Sequence, residues 1–297
     1  MSELLSPMLA GRGEPFDSAE YLFEVKWNGI RALARNGGGG CRIRGRELAD
    51  YAGRYPELEL VLDRLPAGTI VDGELVLFQS GVPELGAMLA RHQLTNPLKV
   101  RHAWRTRPVT YVLFDLLKLG DRLLCGEPLQ VRRALLEELL LGLQEPRLLL
   151  SKGVIGPGCA FFEEAVRQGQ EGVMAKHLAS RYAPGRRSPS WRKIKPARRL
   201  AGVIIGFVPG RDAFRSLLVA APRDEQLRFV ACVSYGFSPW IQCRLQTLLT
   251  DRVRPEAAVP CPGRAVWVEP NLYCLVQFQE WTSSGHLLHP RFLRLLC

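Results

Sequence analysis

The chain has 297 residues, 47% hydrophobic and 23% charged, which suits a soluble globular protein of one large or two ordinary domains. Its formal net charge of +11 points to a polyanionic partner, and the lack of a basic amphipathic helix disfavours a membrane surface. The opening MSELLSPMLAGRGEPF carries no basic segment followed by an apolar one, and no run of about 18 apolar residues occurs, so a cytoplasmic protein without a membrane span is expected.

Along the chain, residues 21–27 and 30–35 alternate apolar and polar around Asn28-Gly29, which predicts a two-residue hairpin. Further strands are predicted at 41–46, 69–78, 109–117, 172–178 and 191–195, with helices at 55–65, 83–94, 129–143 and 159–169. The third helix has apolar residues at 131, 135, 139 and 143, the spacing of a buried stripe. This mixture predicts an α+β fold with antiparallel sheets. After KPARR at 195–199 the texture changes to short strands with turn punctuation and one helix near PWIQCRLQTLL. A first domain over 1–197 and a second over 198–297, the latter a small, partly open β-barrel such as an OB-fold, are therefore expected. Both parts are net basic, so both can face one polyanion.

The eight cysteines show no CxxC or CxxH spacing and the five histidines no ligand pattern, so no zinc module is expected. Lysine usage is more informative. Only seven lysines accompany 33 arginines, and none follows position 195. Only lysine can become a neutral amine nucleophile, because guanidinium does not deprotonate in proteins. In the predicted hairpin Lys26 lies opposite Arg31, with Tyr21, Phe23, Val25 and Trp27 on the other face. Like charges so placed cost stability unless an anion lies between them, and both the guanidinium and desolvation disfavour the protonated amine. A solvated hairpin face with no anion fits the same residues equally well.

Lys26-Trp27-Asn28-Gly29-Ile30-Arg31 resembles the nucleotidyl-lysine motif K-x-D-G-x-R of ATP-dependent DNA ligases, in particular the bacterial end-joining type. In order along the chain, Asp72-Gly73-Glu74-Leu75 is similar to that family's D-G-E-L, Phe114-Asp115-Leu116-Leu117 to F-D-L-L, and Glu171 to Lys176 to E-G-V-V-A-K. Trp191-Arg192-Lys193-Ile194-Lys195 is similar to W-x-K-x-K, and Glu280-Trp281-Thr282 with His289-Pro290 to the closing strands of the family's OB domain. Several such motifs in order are far more specific than one.

The resemblance implies a nucleotidyltransferase domain followed by an OB-fold domain, and ATP as the source of an AMP adduct on Lys26. It implies that Lys193 and Lys195, two apart on a strand, act with Lys26 on one phosphate. Glu74 and Glu171 would hold Mg²⁺ or Mn²⁺, with Glu74 alternatively beside the ribose. Phe114 would stack on adenine and Glu24 help to read it, while Arg31 and Arg46 contact the nucleotide or the DNA end. Lys176 shares a site with Glu171 only if Glu171 precedes the regular strand. The implied partners are nicked or broken double-stranded DNA and a Ku-like end-binding protein, for a monomer located at the bacterial nucleoid.

Two departures modify the expectation. Asn28 replaces the family's aspartate, which keeps the turn chemistry but removes a negative charge, so an altered rate or metal dependence is expected. After His289-Pro290 the chain reads RFLRLLC, with Leu296 where the family's closing motif has an arginine. Impaired self-adenylation is expected from this, with Arg294 as a substitute and sealing by a pre-adenylated enzyme retained. The rival readings are an RNA ligase or capping-type nucleotidyltransferase, and a catalytically impaired nick-binding protein.

Overall fold

The computed structural model describes residues 5–296 apart from Asp212, Asp224, Glu225, Pro262 and Ser283; Met1–Leu4 and Cys297, which the sequence reading covers, lie outside the described residues. The chain divides into two units, residues 1–195 and 196–297. In the first, the longer elements are β1 (Leu9–Arg12), β2 (Ser18–Val25), β3 (Ile30–Asn36), β4 (Cys41–Gly45), α1 (Pro56–Leu62), β5 (Ile70–Val76), α2 (Leu85–His92) and α3 (Pro97–Thr106). There follow β6 (Thr110–Leu119), α4 (Leu129–Leu143), β7 (Leu148–Leu150), β8 (Gly153–Gly156), α5 (Gly158–Arg167), β9 (Val173–His177) and β10 (Arg187–Ile194).

These strands form two sheets, ordered β1-β10-β9-β2-β8 and β7-β6-β5-β3-β4. All neighbours are antiparallel except β1 with β10 and β7 with β6. The expected antiparallel sheets are thus mixed, each with a parallel edge pair. A parallel neighbour needs a long return path, and α4 supplies it between β6 and β7.

Asn28-Gly29 does not close a hairpin. It links β2, which lies between β9 and β8 in one sheet, to β3, which lies between β5 and β4 in the other. The apolar faces decide this: Tyr21 and Phe23 pack with Val173, Ala175 and Ala165 of α5, whereas Ala32 and Ala34 pack with Leu58, Val71 and Leu75. A paired hairpin would send one of these sets into the wrong layer. Gly29 is needed for close passage, since a Cβ there would sit 2.2 Å from the Leu75 carbonyl oxygen. Gly29→Ala should therefore lower stability by about 1–3 kcal/mol, read as a reduced urea midpoint at unchanged m.

The second sheet has a bulge that simple alternation does not anticipate. Asp72 pairs with Asp115 and Gly73 with Leu113, which leaves Phe114 as the extra residue. The bulge resets the phase, so Leu113 and Leu116 both enter the core beneath α4 while Phe114 and Leu117 face the space between the sheets. Helix α4 spans the predicted 129–143, but its fully enclosed positions are Leu129, Arg132 and Leu136, with Leu135, Leu139 and Leu143 alongside; Val131 is not among them. Arg132 is drawn inward by Asp115, to which it donates at 2.7 and 2.8 Å. Helix α3 was not anticipated, although Asn96-Pro97 carries its start signal: the Asn96 side chain accepts from the amides of Leu98 and Lys99, and proline occupies the first helical turn.

The second unit contains β11 (Arg198–Pro209), β12 (Phe214–Arg223), β13 (Gln226–Val233), α6 (Pro239–Thr250), β14 (Val266–Phe278) and β15 (Arg291–Leu296). Its sheet runs β13-β12-β11-β14, and the far side of β14 is shared by Val253–Arg254 and β15. The long strand β14 passes through Glu269-Pro270. Among the described residues the recorded pairings leave the sheet open rather than closed as a barrel. Leu245 and Leu249 of α6 cover a core built on Phe214, Leu217, Val219 and Val276. No helix among the described residues is long and apolar enough to cross a membrane.

Candidate active site

The pairing of β2 with β9 places the nucleophile candidate. Val25 is opposite Val173, and the Lys26 amide donates to the Gly172 carbonyl at 2.9 Å, so Lys26 stands at the strand end where Glu171 enters. Glu171 precedes β9. Gly172, at φ +143° and with no room for a Cβ beside the Ile194 carbonyl oxygen, lets the chain turn there. The Lys26 Nζ ion-pairs with Glu171 Oε2, and Lys195 Nζ reaches Glu171 Oε1 at 2.8 Å. Partial burial pushes the Glu171 carboxyl up, but hydrogen bonds from Lys195 and Lys26 outweigh it and hold the carboxyl below its ordinary range.

The predicted juxtaposition of Lys26 and Arg31 as a hairpin pair is therefore corrected: the cross-strand neighbour of Arg31 is Glu74. The Arg31 guanidinium makes a bidentate contact with Asp72, Nε to Oδ1 and Nη2 to Oδ2, both 2.6 Å, and lies 4.5 Å above the Phe114 ring. Asp72 is fully buried and also accepts from the Tyr182 hydroxyl at 2.6 Å, while that hydroxyl accepts from the Met8 amide at 2.9 Å. The two cations do line one cleft, but from different sheets.

Glu74 shares the cleft face of β5 with Asp72. Burial raises its carboxyl to about 7, against the pull of Arg31 and Lys26. A carboxyl with a raised folded pKa keeps its proton while the unfolded chain loses it, so stability falls as pH rises from about 4.5 to about 7 and is flat above. Glu74→Gln should remove that slope and make the variant more stable than the parent at pH 8 by an order of 2–3 kcal/mol, measured by denaturant unfolding across pH.

At the other end of the cleft, Glu24 and Lys176 form a buried pair, Oε2 to Nζ at 2.5 Å, and the Lys176 ammonium lies 4.0 Å from the Phe114 centroid and 4.5 Å from Trp191. Burial lowers the Lys176 pKa, opposed by Glu24. Lys176 thus does not join Glu171 although Glu171 lies outside the regular strand; it belongs to the Glu24 and Phe114 wall. Phe114 is both core and wall, packed against Trp191 and open to the cleft.

Of the residues predicted from sequence, Lys26, Glu24, Arg31, Arg46, Glu74, Phe114, Lys176 and Lys193 line this one cleft. Glu171 and Lys195 join it through Lys26. Lys193 and Lys195 differ in placement: Lys193 is in β10 facing the cleft, while Lys195 lies past the end of that strand on Glu171. Exposed Arg46 follows β4 at the rim. Sequence reasoning missed Asp72, whose position two before Glu74 in an apolar strand was the available signal. It also missed Trp27, which donates to Ser151 Oγ at 2.9 Å, and Tyr182 and Arg133, for which no local pattern spoke.

Among the described residues no group of three or more His, Cys, Asp or Glu side chains is suited to a metal. Two carboxylates nevertheless suit Mg²⁺, which takes few protein ligands and fills its shell with phosphate oxygens and water. Glu74 lines the cleft beside Lys26, where its carboxylate is available as an oxygen donor.

A lysine amine against a carboxylate, cations for phosphates and an aromatic wall for a base define a nucleotidyltransferase-type cleft. Residues 7–195 match the family described as ATP dependent DNA ligase domain, and residues 210–296 the ATP dependent DNA ligase C terminal region. The chain belongs to the ATP-dependent DNA ligase family. It is 35% identical over 299 residues to the multifunctional non-homologous end joining DNA repair protein LigD of Mycobacterium tuberculosis, covering 95% of this chain and 37% of that protein. It is 31% identical to a DNA ligase of Methanoculleus marisnigri, covering 94% and 52%. The chain therefore spans between about a third and a half of these curated relatives' length. The ligase domain of M. tuberculosis LigD superposes with a TM-score of 0.62 at 32% identity, covering all of this chain and 96% of that one. A mycobacterial DNA ligase D complexed with ATP and MES gives 0.59 at 31% identity with the same coverage. The overall α+β architecture of these neighbours, nucleotidyltransferase followed by OB-fold, is shared here.

Proposed function

We propose that this chain seals nicks or breaks in duplex DNA, using ATP, through a lysyl-AMP intermediate. The observation that carries the reading is Lys26, whose Nζ is held by Glu171 inside a cleft that also presents Glu74, Lys193, Arg31 and Phe114. Residues 1–197 act as the nucleotidyltransferase domain and 198–297 as the OB-fold domain. In the first step the Lys26 amine attacks the α-phosphorus of ATP; an N–P bond forms, the bond to pyrophosphate breaks, and the ammonium proton is lost to solvent. Glu171 orients the amine before attack. Lys193, with Lys195 behind it, offsets charge developing on the α-phosphate. Phe114 supports the base and Glu24 reads it, while Arg31, fixed by Asp72, and Arg46 take the nucleotide or the DNA end phosphate. AMP then passes to the 5′-phosphate of the break, and the 3′-hydroxyl displaces it to restore the phosphodiester.

Mg²⁺ or Mn²⁺ held by Glu74 and Glu171 would neutralise charge on the phosphates. A Ku-like end-binding partner is part of the same reading, supported by likeness to end-joining relatives; action as a monomer and location at the nucleoid complete it. The family match does not favour the silent nick-binder. The test is sealing of a labelled nicked duplex with ATP, beside GTP and beside an RNA nick. Closure of the DNA nick with ATP alone is expected; sealing only of RNA, or only with GTP, would replace the reading with one of its rivals.

A further inference from the structure

Behind the wall formed by Glu24, Phe114 and Lys176 stands Arg133. It projects from α4, the helix packed on the second sheet, and reaches across to the first. Its Nη1 ion-pairs with Glu24 Oε1 at 2.9 Å and donates to the Phe114 carbonyl at 3.4 Å, while Nη2 donates to the Ser151 carbonyl at 2.6 Å. One guanidinium thereby ties β2, β6 and the residue after β7 together. Lys176 takes the other Glu24 oxygen at 2.5 Å, so this carboxylate, 1% exposed, has a cation on each side. Glu24 lines the cleft and Arg133 does not.

We infer that Arg133 is a positioning residue that makes the cleft prefer adenine over 6-oxo purines by locking Glu24 in place as an acceptor. The inference rests on the reading of Glu24 as the residue that meets the base. An ionised carboxylate only accepts hydrogen bonds. Adenine offers an exocyclic amine donor at the position where guanine and hypoxanthine offer a carbonyl. Against a fixed acceptor the amine gains a bond, whereas the carbonyl sets two acceptors face to face without water, the situation in which sites discriminate strongly. Lys176 alone fixes one oxygen and leaves the carboxylate free to swing about that contact. Arg133 limits that freedom: its guanidinium stands 2.9 Å from the second Glu24 oxygen and is itself held in place by the Phe114 and Ser151 carbonyls.

The test compares ATP with ITP, which replaces the 6-amine by a 6-oxo group, in binding by calorimetry and in adduct formation, for the full chain and for Arg133→Met and Arg133→Lys. The parent should favour ATP by about 100-fold, Arg133→Met by less than about 10-fold, chiefly through weaker ATP binding, and Arg133→Lys should fall between. A ratio in Arg133→Met within about twofold of the parent, in a protein with parental circular dichroism, overturns the inference, as does a parent that binds both nucleotides equally or neither. Should Arg133→Met fail to fold, Arg133→Lys decides by the same criterion. A parent that binds ATP selectively yet neither forms lysyl-AMP nor closes a pre-adenylated nick sinks the ligase reading, and the binding ratios still judge Arg133.

Discussion

Lys26→Ala should form no covalent nucleotide. Incubated with ATP and a divalent cation, the parent chain gains the mass of one AMP, and the variant gains none. Overall nick sealing should drop by at least about 10³-fold, the scale on which loss of an activated nucleophile is felt. Lys26→Arg should be equally inert, because a guanidinium that contacts Glu171 still cannot shed its proton. On a nick already carrying AMP at its 5′ end, Lys26 is no longer needed as nucleophile, so Lys26→Ala should retain most of the closing step. An adduct surviving in Lys26→Ala would place the chemistry on another residue. Absence of an adduct in the parent, with closure of the pre-adenylated nick intact, would locate the defect in the first step.

The second large effect concerns stability rather than chemistry. Asp72→Ala should destabilise the first unit by about 3 kcal/mol, because it leaves the Arg31 guanidinium without its bidentate partner and the Tyr182 hydroxyl without its acceptor. Asp72→Asn should cost less, since an amide oxygen still accepts one bond. Removing both charges with Arg31→Met and Asp72→Leu should recover part of the loss, as apolar replacement of a buried pair often does. Urea denaturation of the three variants measures this, and an Asp72→Ala loss of under about 1 kcal/mol would show that water takes over the role of the aspartate. Because Arg31 lies over Phe114, the same variant should also weaken ATP binding.

The chemistry of this protein was written in short local runs. Lysine was scarce, Glu74 sat inside an apolar strand, and the ordered motifs contained most of the residues that line the cleft. The bounds of helix α4 were likewise legible, because helical periodicity is a local property, whereas its most buried face was not: Arg132, drawn to Asp115, turns inward in place of Val131. What the sequence could not decide was which neighbour each of these residues would have. Asn28-Gly29 satisfies hairpin geometry, yet β2 and β3 part into separate sheets because their apolar faces are claimed by different cores. Lys26 consequently meets Glu171, 145 residues away, instead of Arg31 five residues on. Arg31 turns to Asp72, a bulge aims Phe114 at the cleft, and Arg133 joins the two sheets behind Glu24. Local patterns specify which side chains exist on which face; competition among distant segments for buried surface and for counter-charges determines which of them meet, and that is a property of the packed chain alone.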